Sequence, residues 1–116
     1  MRAAQLTAPR QWELIETDKP EPVDGQILVR MERVAVCGSD QPPFCGVHEG
    51  YPQPIGTTGH EGLGIVEACP SGRYQEGERV LLWGFDRGLF QEYVLADDKG
   101  GCIRLPTDLP EEKVLM

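Results

Sequence analysis

A mainly β fold, a small barrel or sandwich, is what this sequence predicts, and two observations predict it. The 14 glycines and 10 prolines exceed the about 14 that average usage gives the two together at this length. Punctuation that dense favours short strands joined by turns over long helices. In addition, about seven short runs of strand character succeed one another at the spacing of a barrel or sandwich. With 116 residues the chain reads as one domain, residues 1–116, large enough for a modest core.

Taken in order, residues 2–8 and 11–17 form a hairpin around Ala8-Pro9-Arg10, with Trp12 and Leu14 on one alternating face. Lys19-Pro20-Glu21-Pro22 is an extended spacer, because proline has no N–H for a strand ladder, and Asp24-Gly25 marks a tight turn. The longest strand runs from Ile27 to Val36. Its phase slips at Glu32-Arg33, where a bulge would re-aim the strand end just before Cys37. Gly38-Ser39-Asp40-Gln41 suits one helical turn capped by Ser39 or Asp40 and soon interrupted by Pro42-Pro43. Residues 44–58 are expected to be loop.

Gly62 to Cys69 is the next strand, in which the small-residue face of Gly62 and Gly64 invites close backbone approach. Glu76-Gly77-Glu78 turns into Arg79–Trp83, which is apolar on both faces and therefore central. Phe90–Ala96 and Cys102–Leu105 complete the set, with Cys69 and Cys102 assigned to the core, and Trp83 and Phe90 to the core in preference to a substrate-cleft wall. Finally, Thr107-Asp108-Leu109-Pro110-Glu111-Glu112 carries the signals of a helix start. The chain stops at Met116, and so short a helix is marginal alone. The natural polypeptide is therefore expected to continue.

Composition narrows the partners. A net charge of −8 opposes binding to nucleic acid or to anionic lipid, so neither nucleic acid nor membrane is expected as a partner. No apolar run reaches the roughly 20 residues a membrane helix needs. Met1-Arg2-Ala3-Ala4-Gln5-Leu6 turns polar too soon for a signal peptide. The four cysteines are accordingly expected as reduced thiols in a cytoplasmic protein.

Two stretches carry chemistry, Cys37-Gly38-Ser39-Asp40 and Thr58-Gly59-His60-Glu61-Gly62-Leu63-Gly64. Between them they offer thiol, imidazole and carboxylate, the three ligand types zinc prefers. Cys37 and His60 stand 23 positions apart, too far for a zinc-finger knuckle, so a shared site must be assembled by the fold. Few ligands on separate elements suit a catalytic zinc, which keeps a position open, better than a structural one. The bland readings are a small buried cysteine, a hydrogen-bonded loop histidine, a surface Glu61 and a helix cap at Ser39 or Asp40. Cys45-Gly46-Val47-His48 has ligand-like spacing but no second pair nearby.

These two stretches, followed by Glu76-Gly77-Glu78-Arg79-Val80 and Phe90-Gln91-Glu92-Tyr93-Val94, resemble the GroES-like catalytic domain of zinc-dependent medium-chain alcohol and polyol dehydrogenases. The resemblance covers nearly the whole chain in order and spacing. It implies a GroES-like β-barrel with short helical segments. It further implies Cys37 and His60 as zinc ligands, Glu61 as an outer or occasional inner ligand, Ser39 as the hydroxyl that relays the substrate proton, and Asp40 as the carboxylate that orients the ligating imidazole. One catalytic zinc is implied, because the four-cysteine lobe of a second zinc is absent after Val80. Where a relay histidine often stands, three residues after the serine, the chain has Pro42.

The resemblance also implies hydride transfer between a small-molecule alcohol or carbonyl and NAD(P), with the full-length protein a homo-oligomer. NAD(P) would be bound by a nucleotide-binding domain beyond residue 116, since no G-x-G-x-x-G opens a helix here. The third zinc ligand is expected there too, and the fragment alone is expected to be inactive. The competing readings are a non-catalytic GroES-like barrel module and a zinc-free quinone or enoyl reductase relative.

Overall fold

The computed structural model describes residues 1–47, 50–84 and 88–115. Seven strands form two sheets. A hairpin pairs β1 (Arg2–Ala8) with β2 (Gln11–Glu16). A five-stranded antiparallel sheet comprises β3 (Gln26–Val34), β4 (Glu61–Ala68), β5 (Arg79–Trp83), β6 (Tyr93–Asp97) and β7 (Cys102–Arg104), in the order β6-β3-β4-β5-β7. The mainly β architecture expected from the glycine and proline pattern is the one observed.

The core lies on the concave side of the larger sheet, where Ile27, Val29, Val66, Val80, Leu82 and Val94 are all almost fully buried. Each such side chain contributes roughly 1.5–3 kcal/mol through its removal from water. The hairpin closes one side of this core. The Ala4 N–H donates to the Phe90 carbonyl at 2.8 Å, the Glu92 N–H to the Arg2 carbonyl at 3.0 Å and the Gly56 N–H to the Ala4 carbonyl at 2.8 Å. Leu6 and Ala3 are thereby buried, whereas Leu14 on β2 stays in solvent.

The phase slip read at Glu32-Arg33 is a bulge. Met31 faces Gly64 and Arg33 faces Leu63, so Glu32 is an extra residue on β3. Gly62 and Gly64 permit this pairing, because a Cβ at Gly64 would collide with the Arg30 carbonyl and one at Gly62 would lie 2.9 Å from the Arg33 carbonyl. Asp24-Gly25 and Glu76-Gly77 are turns, with Gly25 at φ 84° and Gly77 at φ 88°. β5 is central, between β4 and β7.

Several expectations are corrected. Pro42 and Pro43 do not interrupt a helix but begin one, α1 (Gln41–Cys45), since first-turn N–H groups have no intrahelical partner for proline to remove. Residues 44–45 therefore belong to this helix rather than to a loop. β3 ends at Val34 and β6 starts only at Tyr93. The predicted C-terminal helix is a single 3-10 turn, Glu111–Lys113, as its few residues allow. Cys69 lies just past β4 and is half-buried against the core, while Cys102 is buried in β7. Trp83 is not core; it is 43% exposed at the end of β5. No helix among the described residues is long and apolar enough to cross a membrane.

Candidate metal centre

The end of β3 and the start of β4 build the site together. Beyond Val34 the chain stays extended, and the Ala35 N–H donates to the Glu61 carbonyl at 2.9 Å, so pairing continues past the bulge towards Cys37. A 3-10 turn, Gly38–Asp40, then reverses the chain. On the opposite side, the Gly84 N–H donates to the His60 carbonyl at 3.0 Å and the Leu89 N–H to the Gly59 carbonyl at 2.9 Å. Both loaded stretches are thus held by backbone bonds before any side chain is considered.

The result is convergence. One ligand atom from each of Cys37, His60 and Glu61 lies within 4.8 Å of the others. The imidazole is buried, Cys37 is half-buried, and the Glu61 carboxylate is 41% exposed at 3.5 Å from His60 Nε2. Ser39 Oγ lies 3.3 Å from the same Nε2. Behind the ring, Nδ1 donates to the Thr58 carbonyl at 3.3 Å, and Asp40 Oδ1 stands 3.2 Å from Nδ1. That oxygen is within ion-pair distance but off the N–H axis, so it is buried without a hydrogen bond. The other oxygen, Oδ2, accepts the Cys37 N–H at 2.7 Å. With Nδ1 carrying the proton, Nε2 presents its lone pair towards Cys37 and Glu61, and Ser39 donates to it.

Electrostatics follow this arrangement. The Cys37 thiol is held below its usual range, chiefly by the Ser39 N–H, then by the Ser39 hydroxyl and His60. For His60, burial works against the charged ring, but the bond to Cys37, the Thr58 carbonyl and the charge of Asp40 outweigh it and raise its pKa. Each of the two partners therefore favours the ionised form of the other. The donor set is that of zinc, a thiolate, an imidazole of fixed tautomer and a carboxylate, so these residues fit the metal by their own chemistry.

A cavity of about 500 Å³ opens beside Cys37. Ala4, Trp12, Val36, Phe44 and Phe90 form its apolar walls, and Cys37, Asp40, Gln41 and Thr58 lie at its polar end. Phe90 is thus a wall residue rather than core, with its ring edge-on to Trp12 at 5.5 Å between centroids. Sequence reasoning missed Trp12 and Val36. Their alternation in the strands shows only which parity they share, and no local signal tells that the hairpin folds back over Phe90. His48, of the Cys45–His48 pair, and residues 85–87 lie outside the described residues. The four cysteines form no disulfide.

Comparison with known proteins places this geometry. Residues 23–107 match the alcohol dehydrogenase GroES-like domain family. Glucose 1-dehydrogenase of Halobacterium salinarum is 35% identical over 75 residues, covering 63% of this chain and 21% of that protein. An alcohol dehydrogenase of a Moraxella species is 37% identical over 71 residues, covering 59% and 21%. The chain therefore spans about a fifth of the length of these relatives. Zinc-dependent alcohol dehydrogenase 2 from Streptococcus pneumonia superposes with a TM-score of 0.81 at 24% identity, over 99% of this chain and 41% of that one, a likeness of fold. Since the matched segment holds five of the seven strands, from β3 to β7, both halves of the donor cluster and the turn between them, the chain belongs to the alcohol dehydrogenase GroES-like domain family.

Proposed function

We propose that this chain is the catalytic-domain part of a cytoplasmic zinc-dependent alcohol or polyol dehydrogenase, which moves a hydride between an alcohol or carbonyl substrate and NAD(P) held by a separate nucleotide-binding domain. The observation that carries the reading is the convergence of Cys37, His60 and Glu61 within 4.8 Å, with Cys37 also lining a largely apolar cavity. Family membership and dehydrogenase relatives support it.

Cys37 and His60 would hold the zinc, with Glu61 as an outer or occasional inner ligand and a further ligand from elsewhere in the protein. A zinc ion bound there supplies Lewis-acid polarisation of the substrate oxygen. The chain's own residues do the rest. Ser39 N–H and hydroxyl lower the Cys37 pKa and so favour the thiolate that a metal requires. Thr58 and Asp40 keep the proton of His60 on Nδ1 and its lone pair on Nε2. The Ser39 hydroxyl, 3.3 Å from Nε2, is placed to take the proton that leaves the substrate alcohol as its hydride departs to NAD(P)+. Pro42 cannot carry that proton further.

The test is metal content of the full-length protein. One zinc per chain, lost together with alcohol oxidation in Cys37→Ser, supports the reading. A metal-free protein whose stability is unchanged by that substitution would make the domain a non-catalytic barrel.

A further inference from the structure

We infer that the substrate of this site is an apolar alcohol with a ring or branched hydrocarbon body and one reacting hydroxyl, not a sugar or other polyol, and that Trp12 and Phe90 form the wall on which that body rests. The inference rests on the proposed dehydrogenase reading and narrows it, against the sugar-oxidising names of several relatives.

The distribution of polar groups carries it. At about 500 Å³ the cavity falls in the size range of small-molecule sites, roughly 300–1,000 Å³. Its side walls, Ala4, Trp12, Val36, Phe44 and Phe90, are apolar. Among the described residues the polar side chains of the lining are those of Cys37, Asp40, Gln41 and Thr58, and several of their groups are already engaged. Asp40 Oδ2 accepts the Cys37 N–H and Oδ1 faces His60 Nδ1. The Thr58 carbonyl accepts from His60. What is left is the Thr58 hydroxyl and Asp40 Oδ1, both buried without a hydrogen bond among the described residues, and the exposed side chain of Gln41. A substrate with hydroxyls along its length would lose water at each of them and meet aromatic rings in exchange, which is unfavourable for every hydroxyl left unpaired.

A substrate with one hydroxyl at one end loses nothing of the kind, and its hydrocarbon gains from burial. Trp12 and Phe90 meet edge to face at 5.5 Å and 87°, an arrangement that aromatic pairs prefer. Together they offer a planar body an L-shaped corner. Trp12 reaches it from the hairpin and Phe90 from the segment before β6, fixed to each other by the Ala4 to Phe90 backbone bond of 2.8 Å.

The experiment uses the full-length protein loaded with zinc and supplied with NAD+ or NADP+. Benzyl alcohol, cyclohexanemethanol and propan-2-ol are compared with sorbitol and glucose by kcat/KM. The ring alcohols are expected to exceed the polyols by about 100-fold or more. Trp12→Ala is expected to lower kcat/KM for benzyl alcohol about ten-fold more than for propan-2-ol, the equivalent of about 1.4 kcal/mol, and Trp12→Phe to restore part of the difference. Phe44→Ala repeats the comparison should Trp12→Ala fold poorly. As a readout independent of turnover, benzyl alcohol should change tryptophan emission in the wild type and not in Trp12→Phe. A zinc-holding enzyme that oxidises glucose or sorbitol as well as benzyl alcohol overturns this inference and leaves the dehydrogenase reading intact. Equal losses for benzyl alcohol and propan-2-ol in Trp12→Ala and in Phe44→Ala overturn the wall assignment. A protein without zinc that oxidises none of the five overturns both readings.

Discussion

Asp40 Oδ1 stands 3.2 Å from His60 Nδ1, while the same carboxylate's Oδ2 accepts the Cys37 N–H at 2.7 Å. One buried side chain thus sets the backbone of one candidate ligand and the proton position of the other. Asp40→Asn keeps the volume but puts an amide nitrogen or an uncharged oxygen where each carboxylate oxygen now stands. Zinc affinity is expected to fall about 10–100-fold, the usual effect of losing a group that orients a ligating histidine. Chelator competition measures it, and an unchanged circular dichroism spectrum separates the effect from unfolding.

The thiol of Cys37 is more acidic than an ordinary cysteine because Ser39 and His60 stabilise its charge, whereas Cys102 is buried in the core. In metal-free protein at neutral pH, iodoacetamide is expected to modify Cys37 ahead of Cys45, Cys69 and Cys102, since the thiolate is the reacting form. Zinc should protect it. Mass spectrometry of tryptic peptides reads both, and equal labelling of Cys37 with and without zinc would argue against ligation.

Gly64 is a packing residue. Its Cβ would meet the Arg30 carbonyl, part of the neighbouring strand and unable to move away, whereas the nearest atom at Gly62 is the flexible Met31 Cε at 2.7 Å. Gly64→Ala is expected to cost about 3 kcal/mol or more and Gly62→Ala less. Urea denaturation of the two variants ranks them.

Acid sensitivity has one identifiable source in Glu78. Its carboxylate accepts the Gln75 N–H at 2.8 Å and Arg104 Nε at 2.9 Å, and the Gln75 bond chiefly, with Arg104 adding to it, holds its pKa below the usual range. A depressed folded-state pKa means stability that is present above the unfolded value of about 4.3 and is lost as pH falls through the folded one. Glu78→Gln should therefore lower stability at pH 7 and flatten its decline between pH 5 and 3. Melting temperatures across that range test the sign.

How much of this was legible beforehand depended on how local each cause is. The hairpin, the turns at Gly25 and Gly77, the small-residue face of β4 and the bulge at Glu32 follow from parity and residue type within a few positions, and all are present. Pairing of Cys37 with His60 came from motif resemblance, since the 22 intervening residues carry no geometric information of their own. The cavity wall was hidden because Trp12, Phe44 and Phe90 meet only through contacts between distant segments, Ala4 with Phe90 and Arg10 with Phe44. At residues 107–115 the helix-start signals misplaced the beginning: the single turn starts at Glu111, with Pro110 rather than Thr107 or Asp108 in the cap position and no side-chain cap bond.

The extra residue at Glu32 ties chemistry to the arithmetic of a pleated strand. Side chains alternate with period two, so deleting one residue between Met31 and Cys37 would rotate the cysteine to the opposite side of the ribbon while leaving composition and charge nearly untouched. The segment after α1 is pinned too, by the Gln53 N–H on the Leu6 carbonyl and the Gly56 N–H on the Ala4 carbonyl, so length is constrained on both sides of the turn and the short run into the thiol is a counted distance.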